Sequence, residues 1–548
     1  MQGQMMTLPL TIPSLLEHAA RYHGATEIVS CTSEGTLHRY TYADAYARAK
    51  KAACALTRLG VQQGDRVGTL AWNGYRHFEL YYAVSGAGAI THTINPRLFL
   101  EQIAWIVRDA EDIVVCFDLG FATLVESLAK ECPNVKYWVA LTDRPHMPLL
   151  GIPNVLCYED LLTAEPSDFV WPIVDENDAA ALCYTSGTTG DPKGVLYSHR
   201  STLLHALSSS LPDGLALSSR DVIAPVVPMF HVNAWGLPYS APLVGAKLVF
   251  PGAAVDGKSV FELFDRERVT FSAGVPTVWL SMLQYMRQSG RRLTSVERMI
   301  VGGAACPPAL MSSYQKEFGI RILHAWGMTE LSPIGTVNTL KASHLSLDED
   351  ARFAIGTKQG RPLFGVDLTT VDDQGHTLPR DGVSTGALLV RGHWVLNHYY
   401  RRNESPLTDG WFPTGDVATL DSDGFMQITD RAKDVIKSGG EWISSIELEN
   451  IAMGHPAVAE AAALGMAHPK WDERPLLVVV VKSGHTLTRE DLLARYVGKV
   501  ARFCIPDDVA FVDTLPHTAT GKISKLQLRA QMCDYQWPDT ATRIEAAQ

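Results

Sequence analysis

Residues 182–200, "LCYTSGTTGDPKGVLYSHR", run from an apolar segment into a loop rich in Gly, Thr and Ser, with one lysine, Lys193, and then towards a helix. Glycines let backbone N–H groups approach an anion, hydroxyls add donors and an ammonium adds charge, so the stretch reads as a phosphate cradle. Two common phosphate loops are excluded. A G-x-x-x-x-G-K-[ST] loop places its lysine after glycine and before a hydroxyl residue, whereas Lys193 follows Pro192 and precedes Gly194. A strand-borne G-x-G-x-x-G dinucleotide fingerprint is missing as well. An ordinary surface loop could carry the same residues, so the flanking chain has to decide the chemistry.

Outward from the loop, helices alternate with short β-rich runs. "TYADAYARAKKAACALTRLGVQQGDRVGTLAWNG" (41–74) reads as an amphipathic helix, a Gly stop and a strand; 78–96 and 102–118 repeat the pattern, and 247–330 continue it. This alternation predicts mainly parallel sheets covered by helices, an α/β class. After about Glu330 the runs shorten and Asp-Gly turns appear ("PRDG", "DSDG"), which predicts a compact antiparallel or barrel-like element over 360–430. From Arg431 a charged segment, a paired-Gly turn, a helix and the apolar runs "AEAAALGMA" and "RPLLVVVV" predict a small α+β module.

Composition narrows the function. The 548 residues exceed one ordinary domain, and 46% hydrophobic with 20% charged residues is normal for a soluble globular chain. A net charge of -11 argues against a nucleic-acid partner held on a basic face. Nine cysteines without a C-x-x-C pair indicate free thiols in a reducing cytoplasm, neither a disulfide scaffold nor a zinc site. The start lacks a basic region followed by an unbroken apolar one, so no export signal is expected. The uncharged stretch between Asp221 and Lys247 is interrupted by Pro225, Pro228, Pro238 and Pro242, and reads as buried core or pocket wall, with no transmembrane segment.

Further motifs occur in a fixed order: "YTSGTTGDPKG" (184–194), "HAWGMTE" (324–330), "TGD" (414–416), "DRAKDVIKSGGEWIS" (430–444) and "TATGKISK" (518–525). Together they resemble the adenylate-forming superfamily of acyl-CoA synthetases, luciferases and peptide-synthetase adenylation domains. "PVVPMFHVNAWG", "SGGEWIS" and "HPKWDERPLL" are similar to bacterial medium-chain fatty-acyl-CoA synthetases, the preferred reading, and equally to methylmercaptopropionate-CoA ligases of dimethylsulfoniopropionate catabolism. The resemblance implies an AMP-binding domain over 1–432, built from two α/β subdomains and a β-barrel, and a mobile C-terminal domain over 433–548. It implies ATP, Mg2+ and coenzyme A as reactants, with a small carboxylic acid as substrate, and allows a homodimer. An adenylation module serving a carrier protein, a luciferase-like oxygenase and a non-catalytic nucleotide-binding sensor are the alternatives.

The resemblance also distributes roles. Thr185, Ser186, Gly187, Thr188, Thr189 and Lys193 would cradle the β- and γ-phosphates. Glu330 would hold magnesium, helped by Thr185; without "GMT" before it, it would pass for a helix cap or an exposed carboxylate. Gly302, Gly303 and Ala304 would wall the adenine, with Ala325, Trp326, Gly327, Met328 and Thr329 beside it. Trp326 stands where relatives more often carry tyrosine, so stacking is kept and a hydroxyl is lost. Asp416 would accept the ribose hydroxyls, assisted by Arg431. Lys522 would bridge substrate carboxylate and α-phosphate during adenylation. Lys433 takes the hinge position, and Gly439, Gly440, Glu441 and Trp442 would border the pantetheine tunnel. His231 is expected to gate acyl pocket from thiol tunnel, although a lone His in an apolar stretch is more often a core residue; a general-base role ranks last. Val232, Trp235 and Gly327 would line the acyl pocket with His231, and an apolar lining favours an aliphatic acid over an amino acid.

Overall fold

The computed structural model describes residues 1, 3–185, 191–438, 441–468, 470–518, 522–535 and 537, with Glu441 and Trp442 as backbone. Among these the strands form four sheets. The first, of seven strands, runs in the order Val155–Cys157, Tyr137–Ala140, Asp112–Phe117, Arg66–Leu70, Ile90–Thr93, Ala179–Tyr184 and Gly194–Ser198. All its pairings are parallel except the last. The second, of nine strands, is parallel from Glu27–Cys31 through Arg321–Gly327 and bounded by antiparallel strands at both ends. Helices separate most successive strands, as the alternation predicts; the exceptions include the hairpins Glu27–Cys31 with Leu37–Thr41 and Ala179–Tyr184 with Gly194–Ser198.

The two sheets share one core. The helix Tyr75–Gly86 has every residue buried, and its hydroxyls find partners outside it: Tyr81 donates to the Met229 carbonyl at 2.5 Å and Tyr82 to that of Pro238 at 2.7 Å. Asn73, just before it, donates to the Pro225 and Val227 carbonyls and accepts from the Met229 amide. These bonds satisfy backbone groups at and just beyond the end of the strand Val222–Pro225, and so fix the second sheet's loop against the first sheet. The uncharged stretch is thus buried wall, from Val226 to Pro242. Within it Val232, Asn233, Ala234, Trp235 and Gly236 all have φ between 43° and 78°. Four consecutive non-glycine residues in the left-handed region cost about 1–2 kcal/mol each. The dense packing of Val232, Ala234 and Trp235 in the main core offsets that cost.

The antiparallel element after Glu330 is the four-stranded meander Val366–Val371, Gly386–Gly392, Phe412–Leu420 and Met426–Arg431, bridged to the second sheet between Gly360 and Met426. The last sheet begins at Ile436–Ser438 and centres on the long pair Val458–His468 and Asp472–Val481, with its own buried cluster around Leu477, Val479 and Leu492. One local expectation changes. The phosphate loop does not lead straight to a helix: Gly194–Ser198 first returns antiparallel to Ala179–Tyr184, and the helix His199–Ser210 starts only then, through a Ser198/Ser201 capping box. The reason lies in "GVLYS", where Val195 and Tyr197 alternate inward as a strand face. No helix among the described residues is long and apolar enough to cross a membrane.

Candidate active site

The hairpin places Thr185 and Lys193 side by side: the Thr185 amide donates to the Lys193 carbonyl at 2.9 Å, and the Lys193 amide to Thr185 Oγ1 at 3.3 Å. Ser186, Gly187, Thr188 and Thr189 lie outside the described residues. The Lys193 ammonium sits 5.0 Å from the Tyr399 ring centre, and the Tyr399 hydroxyl donates to Glu330 Oε1 at 2.8 Å. Burial pushes the Glu330 carboxyl above the usual carboxylate range, with the Tyr399 hydrogen bond acting against it. Residues 396–400 strap this corner together: the Leu396 amide donates to the Glu330 carbonyl and the Tyr400 amide to that of Gly194, each at 2.8 Å. The sequence reading missed Tyr399; the aromatic pair in "HYYRR" was its only signal.

Asp416 and Arg431 face each other across adjacent strands, with Arg431 Nε 3.1 Å from Asp416 Oδ1. The other carboxylate oxygen accepts the Trp326 indole N–H at 2.8 Å. Trp326 thus contributes a donor of its own at this position. Asp416 is 3% exposed, and its two remaining lone-pair sites are left for further donors.

Lys522 comes from the last sheet's side of the chain and enters this corner. Gly303 has φ +79°, a conformation that only glycine takes without strain, and a Cβ there would meet Lys522 Cε at an ordinary contact distance of 3.4 Å. Burial, then the nearby Arg431 charge, push the Lys522 ammonium down to about 8, and Asp416 opposes them. His231 is half-buried; burial, then the Lys522 charge, push its imidazole down to about 3. Gly302 has the neighbouring role: its missing side chain admits the Trp235 ring, whose Cη2 would be 2.9 Å from an added Cβ. Ala325 and Trp326 are buried at the end of Arg321–Gly327, and a Cβ on Gly327 would strike the Pro333 carbonyl at 2.1 Å. Thr329 is buried, its carbonyl accepting from the Tyr197 hydroxyl, and Met328 packs against the main core. Ala304 follows Gly303 on the same turn.

The expected residues Glu330, Trp326, Asp416, Arg431, Lys522, His231 and Trp235 thus come from four sequence regions into one neighbourhood. Gly439 and Gly440 lie outside the described residues; Ile436–Ser438 and Glu441–Ile443 pair antiparallel beside them. Lys433 is exposed, and its carbonyl accepts from Arg529.

Residues 15–400 match the family model of AMP-binding enzymes, and residues 447–522 match that of the AMP-binding enzyme C-terminal domain. The chain is 52% identical to a 3-methylmercaptopropionyl-CoA ligase of Ruegeria lacuscaerulensis over 97% of its length and 99% of that protein's. It is 51% identical to a medium-chain-fatty-acid–CoA ligase of Ectopseudomonas oleovorans over 97% and 98%. Among solved structures, the anthranilate CoA ligase AuaEII in complex with anthranoyl-AMP superposes with a TM-score of 0.85 at 26% identity, covering 97% of this chain and 99% of that one. ATP-bound MatB from Rhodopseudomonas palustris gives 0.80 at 26%, covering 95% and 99%.

Two outcomes follow from the geometry. Trp326→Phe leaves Asp416 Oδ2 without its buried donor, and the KM for ATP should rise about tenfold in pyrophosphate exchange while the fold stays intact by circular dichroism. The ammonium of Lys522 is complete well below pH 8 and is lost as pH rises through about 8. The kcat/KM for carboxylate-dependent pyrophosphate exchange should therefore fall along an alkaline limb near that pH. An unchanged rate up to pH 10 would contradict it.

Proposed function

We propose that this chain, which belongs to the AMP-binding enzyme family, is an ATP-dependent acyl-CoA ligase for short- to medium-chain aliphatic carboxylic acids. A carboxylate oxygen attacks the α-phosphorus of ATP, pyrophosphate leaves, and acyl-AMP forms. The coenzyme A thiol then attacks the acyl carbonyl and AMP departs.

The observation that carries this reading is the Lys522 ammonium lying beside Gly303, Arg431 and Asp416. A carboxylate and a triphosphate repel each other, so cations placed where they meet lower the barrier by electrostatic stabilisation. Lys522 and Arg431 supply that charge on the α-phosphate side, and Lys193 supplies it at the phosphate hairpin. Asp416 retains acceptor sites for the ribose hydroxyls, and Gly302–Ala304 with Trp326 form the base-binding wall. Among the described residues no three His, Cys, Asp or Glu side chains gather into a metal-holding group. The buried Glu330 carboxylate, with the Thr185 hydroxyl, fits magnesium that arrives with the nucleotide, since this ion takes one or two carboxylates together with substrate phosphates. Bound there, the ion would neutralise charge on the phosphates.

For the second half, the reading divides the chain at 432/433. The last strand of the meander ends at Arg431 and the first strand of the following sheet begins at Ile436; Lys433, between them, is taken as the hinge from the family resemblance. Rotation about it would withdraw Lys522 and bring Gly439, Gly440, Glu441 and Trp442 to the pantetheine arm. His231 and Val232 then act as the wall between acyl and thiol spaces. The nine free cysteines fit a reducing cytoplasm.

The Trp235 ring pressed on Gly302 supports a slim acyl chain. It also favours a second reading, a thioether acid such as 3-methylmercaptopropionate, because thioether sulfur packs well at aromatic edges. Two measurements test these statements. Lys522→Ala should abolish octanoate-dependent pyrophosphate exchange and largely spare octanoyl-CoA formation from supplied octanoyl-AMP; equal loss of both halves would refute the lysine's role. A panel of straight-chain and thioether acids, ranked by kcat/KM, should show a graded profile with steps of about 1–3 kcal/mol per methylene. A bare nucleotide sensor would release no pyrophosphate with any acid.

A further inference from the structure

The Met426–Arg431 strand ends on two residues that point to opposite faces. Arg431 turns to Asp416 in the nucleotide corner. Asp430, 1% exposed, turns away from it, onto the helix Ser445–Met453 that follows the hinge. Its Oδ2 accepts the Ser445 amide at 2.5 Å and its Oδ1 accepts the Ser445 hydroxyl at 3.0 Å. Ser444 adds a bond from its hydroxyl to the Thr429 carbonyl. The Ser445 hydroxyl in turn accepts from the Lys525 ammonium at 2.5 Å, and Lys525 pairs with Glu449 at 2.7 Å. Lys525 opens the helix Lys525–Gln531, three residues after Lys522. At its far end Arg529 bonds to Asp434 and to the Lys433 carbonyl, at the hinge itself.

The register is the informative feature. Two adjacent residues of one strand, Asp430 and Arg431, face two lysines three apart, one in each of two parallel contacts. We propose that Asp430, Ser445 and Lys525 form a latch that holds the segment carrying Lys522 in its adenylation position. This inference rests on the reading that the part beyond Lys433 rotates between half-reactions. Asp430 precedes the hinge, whereas Ser445, Glu449 and Lys525 follow it. Rotation must therefore break both Asp430–Ser445 bonds and strip a nearly fully buried carboxylate of its donors, while Lys525 keeps Glu449. The cost falls on leaving the adenylation state, and buried carboxylates without partners are expensive. Asp430, Ser445 and Lys525 are positioning residues; none of them reaches the nucleotide corner.

The test separates the half-reactions with octanoate, ATP and octanoyl-AMP as probes. Asp430→Asn keeps the shape and removes the charge. Its kcat for octanoate-dependent pyrophosphate exchange should fall about tenfold, the scale of a charged hydrogen bond. The KM values for ATP and octanoate should stay within twofold, and octanoyl-CoA formation from supplied octanoyl-AMP should be unchanged or faster. Ser445→Ala should show the same split more weakly. Lys525→Arg should retain more exchange than Lys525→Met, because only the former keeps a cation on Ser445 and Glu449. Equal loss in both half-reactions, or a loss confined to KM, in variants whose melting temperatures match the parent would overturn the latch. Lys522→Ala is the parallel control: should it fail to separate the half-reactions, the rotation itself is wrong, whatever the latch variants do.

Discussion

The carboxylate of Asp416, almost wholly withdrawn from water, is the constraint around which the proposed nucleotide corner is assembled. An isolated charge there would be costly, and three distant pieces of chain meet its needs. Trp326 arrives from the end of a parallel strand, Arg431 from the opposed strand of the meander, and Lys522 from beyond the hinge. The balance is uneven. Arg431 and Lys522 are two cations near one carboxylate, and Arg431 makes the Lys522 ammonium easier to deprotonate. The corner with Lys522 inserted thus carries a surplus of positive charge that an anionic nucleotide would complete. That surplus fits the role proposed for Lys522 above.

The same charge arithmetic explains why the neighbouring Asp430–Ser445–Lys525 contact lies on the opposite face of the strand. If the lysine alone held its domain in place, it would do so against Arg431. A separate contact, with two carboxylates to one ammonium, supplies the attraction that the nucleotide corner lacks before substrate binds. Strand alternation keeps the two sets of charges apart at no cost in length.

Much of this was legible in the sequence, for identifiable reasons. Parallel sheets follow from helices alternating with apolar runs, and the meander from closely spaced Asp-Gly turns, because both patterns record local backbone preference and burial face. Asp416, Glu330 and Lys522 stood out because "TGD", "HAWGMTE" and "TATGKISK" resemble motifs of the adenylate-forming superfamily. Contacts made by common residues in ordinary surroundings were not legible. Tyr399 looks like any aromatic beside a strand, and Asp430 like the charge preceding a hinge. The hairpin after the phosphate loop was hidden because "GVLYS" is too short to distinguish a strand from the approach to a helix. The left-handed run at 232–235 was hidden because only Asn233 and Gly236 suit that conformation locally; tertiary packing imposes it on Val232, Ala234 and Trp235.

That left-handed run bears on what His231 does. It fixes the residue at the mouth of the turn, where the imidazole, pushed down to about 3 by burial first and the Lys522 charge second, is neutral throughout the physiological range. An imidazole with so weak an affinity for protons takes them poorly from a thiol. Removing Lys522 by rotation would relieve only the smaller of the two causes, so basicity does not return when the second half-reaction begins. A thiol attacking a mixed anhydride has an excellent leaving group and little need of a base. What the position does offer is a ring just before a left-handed turn and near the Lys522 charge. In the function proposed above, His231 would therefore act by where its ring stands, as a gate, and not as a base.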